Sequence, residues 1–339
     1  MPFGDPILTR LLAGVLPVVI LLLTLIYLDS YKLVKLRWVL MTIAVGGLIA
    51  GMGYLINLSL LEALHLTPTT FARYVAPVIE EIAKGLLVVF LIRTHRVGFL
   101  VDTAIYGFAV GTGFAVVENV YYIGAVSDGG LAVWIVRGFG TAIMHGGVTA
   151  IFGLSAKALS EREDVHRALA YAPGLVMACA IHSLYNHFFL TPVLSTALIL
   201  VALPPLILAV FSQSEKALEG WLNVGFDADM ELLALINSGG LSESKVGTYL
   251  NTLRERFPPE VLVDMICFLK LHVELSMRAK GLLMMREAGF SMELDPEIRE
   301  KFQELEFLEK SIGSTGKLAL RPFLHVSGKN LWQLHMLKR

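Results

Sequence analysis

The 339 residues are 55% hydrophobic and only 17% charged, with a mean hydropathy of +0.66, whereas ordinary globular chains carry roughly 25% charge. This excludes a soluble fold for most of the chain. A net charge of −1 without a basic run gives no footprint for nucleic acid, and the two cysteines, Cys179 and Cys267, imply no disulfide framework.

A helix needs about 20 mostly apolar residues to cross the hydrocarbon core. In chain order the segments 7–28, 38–61, 71–92, 99–124, 131–157, 169–190 and 193–212 qualify. Pro204-Pro205 interrupts the last, which a membrane helix tolerates when neighbours satisfy the freed backbone groups. Basic loops mark the cytoplasmic side. Lys32, Lys35 and Arg37 follow the first span, Arg93 and Arg96 the third, and Lys157, Arg162 and Arg167 the fifth. The intervening loops carry only Glu62, His65 and Arg73, then Asp128, then almost nothing around Thr191-Pro192. This alternation places the N-terminus outside and the tail in the cytoplasm.

The tail differs in character. Residues 1–212 hold 23 of the 57 Asp, Glu, Lys and Arg residues, and residues 213–339 hold the other 34. Apolar residues at three- and four-residue spacing predict helices over 230–236, 245–256, 260–287 and 296–310, punctuated by Gly239-Gly240, Pro258-Pro259 and the glycines at 313 and 316. The expected architecture is all-α. A polytopic membrane domain of about seven transmembrane helices (residues 1–212) carries the candidate catalytic groups, and a C-terminal helical soluble domain (213–339) follows in the cytoplasm.

Charges inside a membrane helix cost on the order of 2.5–3.5 kcal/mol each, so they are functional candidates by default. The third span carries Glu80, Glu81 and Lys84, the fourth Glu118 and Asn119, the fifth His145, and the sixth His182 and Asn186. At about 1.5 Å rise per residue, Glu81 lies about 14 Å below the outer surface, Glu118 about 9 Å, His145 about 18 Å and His182 about 12 Å. Four helices thus place polar groups in one slab, facing a common cavity. Glu80 and Lys84 are four apart and are expected to form an intrahelical ion pair. Pro77 is expected to bend the third helix, and Gly107, Gly111 and Gly113 to let backbones approach closely. Asn119 reads more readily as interhelical hydrogen-bond glue than as chemistry.

Carboxylates and imidazoles without a paired nucleophilic Ser or Cys point to activated water. Ser183 adjoins His182 but points away from it on a helix. Glu can serve as general base, and His can donate to a developing oxyanion. Alternatively Glu118, His145 and His182 form a zinc (or other divalent metal) ligand set with a second Glu as base. The sequence contains no His-Glu-x-x-His pair, so such a metal site is assembled from separate helices. A proton- or cation-coupled transporter also concentrates Glu and His in a wet cavity; internal repeats would favour it, and none is apparent.

The pattern Glu80-Glu81-x-x-Lys84, Phe114-x-x-x-Glu118-Asn119, His145 followed by glycines, and His182-x-x-x-Asn186 resembles the motifs of the PrsW family of intramembrane proteases. That family is similar to the type II CAAX prenyl endopeptidases. The resemblance spans about residues 70–190. It implies a protease of the bacterial or archaeal cell membrane that cleaves a single-pass, anti-sigma-factor-like membrane protein outside the bilayer. It implies Glu80 as base for water with Glu81 as its partner, Lys84 in the place of an arginine, and His182 with Asn186 stabilising the oxyanion. Glu118 stands where the CAAX enzymes have a catalytic histidine, which leaves His145 as the replacement imidazole. The bilayer and a membrane-protein substrate are the expected partners; a homo-oligomer is compatible with the sequence, and a nucleic-acid partner is not expected.

Overall fold

The computed structural model describes residues 6–125, 130–162, 166, 169–290 and 297–324. Asp128, Arg167 and Pro296, used above to place loops and a helix start, lie outside the described residues. The regular structure among the described residues is helical throughout. The chain divides into two compact units, Met1–Ser214 and Glu215–Arg339.

The first unit contains α1 (Pro6–Tyr27), α2 (Leu36–Leu64), α3 (Ala76–Arg93), α4 (Leu100–Ala125), α5 (Leu131–Ser160), α6 (Ala172–His187) and the first part of α7 (Pro192–Asn237). Helices stand at each of the expected apolar segments. Five of them (α1, α2, α4, α5 and α7) are long and apolar enough to cross a membrane. The expected count was seven; of the other two, α3 (18 residues) falls short by its charge and α6 (16 residues) by its length. α3 holds Glu80, Glu81 and Lys84, and α6 ends early at Phe188 in the left-handed conformation.

α4 is the central helix. Every residue from 101 to 115 is buried, as expected of a helix that is apolar all round and packed on all sides. Small residues let its neighbours come close. A Cβ at Gly111 would collide with the His145 carbonyl on α5, and one at Gly113 with the Ile43 carbonyl on α2. A Cβ at Gly51, further along α2, would meet nothing within 4 Å.

Two π-helical segments shape the bundle. The first, Phe71–Val75, joins a short turn (Pro68–Thr70) to α3. Thr67 caps that turn by accepting from the Thr70 amide. Pro77 has no N–H, so the Arg73 carbonyl lacks its helical donor; Ser183 Oγ of α6 donates to it at 2.6 Å. The Ala76 amide reaches back to the Phe71 carbonyl, which frees the Ala72 carbonyl for Asn186 Nδ2 at 2.9 Å. The second segment, Arg137–Ala142, lies inside α5 just before His145. Such bulges recur near functional sites, and here each precedes site residues by a turn or two.

The second unit contains the rest of α7, then α8 (Lys245–Thr252), α9 (Pro259–Glu287) and α10 (Glu297–Leu320). The helix break expected after residue 212 is absent. Residues 213–229 contain no proline and are rich in helix formers, so the helix runs on until Gly239, whose φ of 76° ends it. The expected helix 296–310 extends to Leu320, kinked at Gly313 (φ 64°). Met265, Leu269, Leu275 and Leu283 of α9 form the core with Leu320 of α10.

Candidate active site

The functional groups come from neighbouring positions on α3, α4, α5 and α6, and α2 supplies one more. Glu81 is fully enclosed, and its Oε1 receives both the Lys84 ammonium at 2.6 Å and His182 Nδ1 at 2.7 Å. The expected Glu80–Lys84 pair is therefore corrected: Lys84 bonds Glu81 three residues away, because Glu80 is turned to α2, where Asn57 Nδ2 donates to its Oε1 at 3.1 Å. Glu80 Oε2 lies 3.9 Å from His182 Nε2.

The network fixes both imidazole tautomers. Lys84 Nζ sits 3.1 Å from His145 Nδ1. An ammonium can only donate, so Nδ1 accepts and the ring proton sits on Nε2, which donates to Glu118 Oε2 at 2.9 Å. In its neutral form His182, donating from Nδ1 to Glu81, has a bare Nε2 that faces Glu80. A bare Nε2 is an acceptor or a ligand; donation to an oxyanion, the role expected from sequence, requires a second proton on this ring. The rings of His145 and His182 meet edge to face with centroids 4.8 Å apart. The Lys84 ammonium also lies 4.6 Å from the Phe114 ring centroid.

Glu118 is braced by Arg137, whose guanidinium lies 3.3 Å from Oε1. Arg137 Nε also donates to Asn119 Oδ1 at 2.8 Å, and its guanidinium stacks 3.9 Å from the Tyr122 ring centroid. Asn119 Nδ2 donates to the Gly14 carbonyl of α1, the geometry of interhelical glue. Asn186 Nδ2 donates to the Ala72 carbonyl at 2.9 Å.

Two residues of this constellation escaped the sequence reading. Arg137 is a basic residue inside an apolar segment, and the argument that singled out Glu80 applies to it equally. Asn57 interrupts the apolar run of α2, but a single amide in a long span is a weak signal.

Among the described residues, Glu80, His145 and His182 form a group whose potential ligand atoms all lie within 4.8 Å of one another. The structure thus groups Glu80 with the imidazoles, where the sequence reading had placed Glu118. The donor set fits a divalent cation. Three carboxylates face two fixed cations, Lys84 and Arg137, which leaves one formal negative charge. His182 Nε2 is bare, and its other nitrogen is held by a carboxylate, the usual support of a metal-bound histidine. His145 has both nitrogens engaged, so its ligation exchanges one of those contacts.

The family model for PrsW family intramembrane metalloproteases matches residues 34–211, more than half of the chain. The chain belongs to that family. No curated protein and no solved structure matches it. The PrsW match runs from just before α2 into α7 and includes every site residue named above. The protein is therefore an integral membrane peptidase, and the PrsW assignment does not favour the transporter reading.

Proposed function

We propose that this PrsW-family protease hydrolyses a peptide bond of a single-pass, anti-sigma-factor-like membrane protein, with Glu80 as the base that activates water. The convergence of Glu80, His145 and His182 from three helices carries the reading. We place α3 and α6 in the bilayer with the other five helices, the N-terminus outside a bacterial or archaeal cell membrane, and the second unit in the cytoplasm.

Glu80 takes a proton from water as its oxygen attacks the scissile carbonyl carbon. It then returns that proton to the amide nitrogen as the C–N bond breaks, leaving a carboxylic acid and an amine. Glu81 holds His182 by Nδ1 and keeps Nε2 directed at Glu80. Lys84 neutralises Glu81 and fixes His145, while Glu118, braced by Arg137, orients the other edge of that ring. His145 and His182 would hold a zinc or similar divalent ion beside Glu80, which stays the base; the ion would supply Lewis-acid polarisation of the carbonyl and a more acidic water.

The test is cleavage of a single-pass substrate co-reconstituted with the full chain. Glu80→Gln and His182→Gln should each lower cleavage at least about a hundredfold while the protein stays folded. Metal analysis should find a divalent ion in wild type that His182→Gln lacks. Wild-type cleavage by both variants would overturn the assignment, and ion flux without cleavage would restore the transporter.

A further inference from the structure

We infer that Asn57 is a positioning residue for this hydrolysis, acting through Glu80; the inference rests on the reading that Glu80 activates water. Asn57 lies on α2, outside all of the motifs that carry the family resemblance. Its neighbours Leu55, Ile56 and Leu58 are large, apolar and exposed, so it sits where the helix otherwise presents hydrocarbon. An amide in such a stretch is costly and calls for a reason.

Its hydrogen bond supplies one. Asn119 and Asn186 each clamp a backbone carbonyl of another helical segment, Gly14 and Ala72, as structural amides do. Asn57 instead donates Nδ2 to a carboxylate oxygen, Glu80 Oε1. Chemistry fixes the orientation of the amide, because the flipped form would set its carbonyl against the carboxylate. Its own Oδ1 is buried and accepts no hydrogen bond among the described residues. Leaving a buried acceptor unsatisfied has a cost and calls for an explanation.

The consequence for Glu80 is geometric. One oxygen is pinned by Asn57 and the other is left toward His182 Nε2 at 3.9 Å. Without the amide the carboxylate can rotate about its terminal torsion, which is broad and two-fold, and the fraction of time that Oε2 faces the water falls. Asn57 therefore contributes to the rate of the chemical step and not to substrate binding.

The experiment measures kcat and KM of the full chain in proteoliposomes with a single-pass substrate, for wild type, Asn57→Leu, Asn57→Asp, Asn57→Gln and Glu80→Gln. Asn57→Leu should lower kcat about ten- to a hundredfold, as for loss of a hydrogen bond to a charged group, with KM unchanged and the protein still folded. Asn57→Asp should lose at least as much, since it sets a like charge against Glu80, and Asn57→Gln, which keeps the donor, should recover part of the rate. Wild-type kcat in Asn57→Leu overturns the inference, as does a loss confined to KM. If Asn57→Leu fails to fold, Asn57→Asp and Asn57→Gln decide: a folded Asp variant with low kcat and a faster Gln variant support positioning, and three unfolded variants make Asn57 a structural brace and overturn it. Should Glu80→Gln cleave normally, the reading of Glu80 fails whatever Asn57 does. An inactive Glu80→Gln beside a fully active Asn57→Leu removes the Asn57 inference alone.

Discussion

Glu81→Gln separates stability from catalysis at this site. The Lys84 side chain is completely buried and that of Glu81 is 1% exposed, so neither charge has water to fall back on. Gln preserves shape and can still accept from His182 Nδ1, but the ammonium loses its counter-charge. Breaking a buried ion pair from one side costs about 3–5 kcal/mol. At about 2–4 °C per kcal/mol for a unit of this size, the thermal midpoint should fall by about 6–20 °C. Adding Lys84→Met removes the stranded cation, and replacing a whole buried pair is often close to neutral. The double variant should therefore regain most of the lost stability. Cleavage should not return with it, because His182 still lacks its anionic partner, a loss worth about ten- to a hundredfold at metal-binding histidines. Thermal unfolding of the purified full chain in detergent, run beside the cleavage assay, gives both numbers. A Glu81→Gln variant that melts with wild type would refute the reasoning. So would a double variant less stable than the single one, since the two side chains would then not be acting as a pair.

Gly111→Ala should drive a methyl group into the His145 carbonyl and force α4 and α5 apart. Overpacking of this kind costs about 1–3 kcal/mol, and cleavage should fall with stability; an unchanged melting curve would count against the close α4–α5 contact. In the second unit, burial pushes the His272 imidazole down to about 4, although Asp229 acts in the opposite direction. The unfolded chain takes up a proton near pH 6.5 that the folded form refuses until pH 4, so stability is full above pH 6.5 and is lost as pH falls through that window. The loss reaches about 3 kcal/mol. Protection factors for hydrogen exchange across α9 of the full chain should therefore fall between pH 6.5 and 4, and His272→Gln should flatten that trend.

The apolar runs were legible because a bilayer leaves little choice: a spanning segment must be long, helical and poor in charge. For the same reason the few polar groups within those runs stood out, and Glu80, Glu81, Lys84, Glu118, His145 and His182 do meet in the fold. The end of α7 was not legible. Charge density rises after residue 212, but a rise in charge is not a helix stop; the stop comes at Gly239. The work of Ser183 and Asn186 was hidden too, since it depends on carbonyls that Pro77 and the π segment release on a different helix.

The two adjacent carboxylates show most clearly where spacing runs out. Glu80 can reach Lys84 at four residues and Glu81 can reach it at three, and both pairings satisfy helical geometry. Which pairing forms depends on what each carboxylate meets across the bundle. Glu81 meets His182 Nδ1 in a fully enclosed position, where a second partner for its charge lowers the cost of burial, and Lys84 goes there. Glu80 meets the Asn57 amide and keeps 14% of its side chain exposed. In the proposed reading Glu80 acts on water, and its partial exposure leaves a path for that water. The same Lys84 that makes Glu81 a fixed support thus leaves Glu80 available, and this division of labour between identical neighbours is set by α2, α5 and α6, not by the helix that carries them.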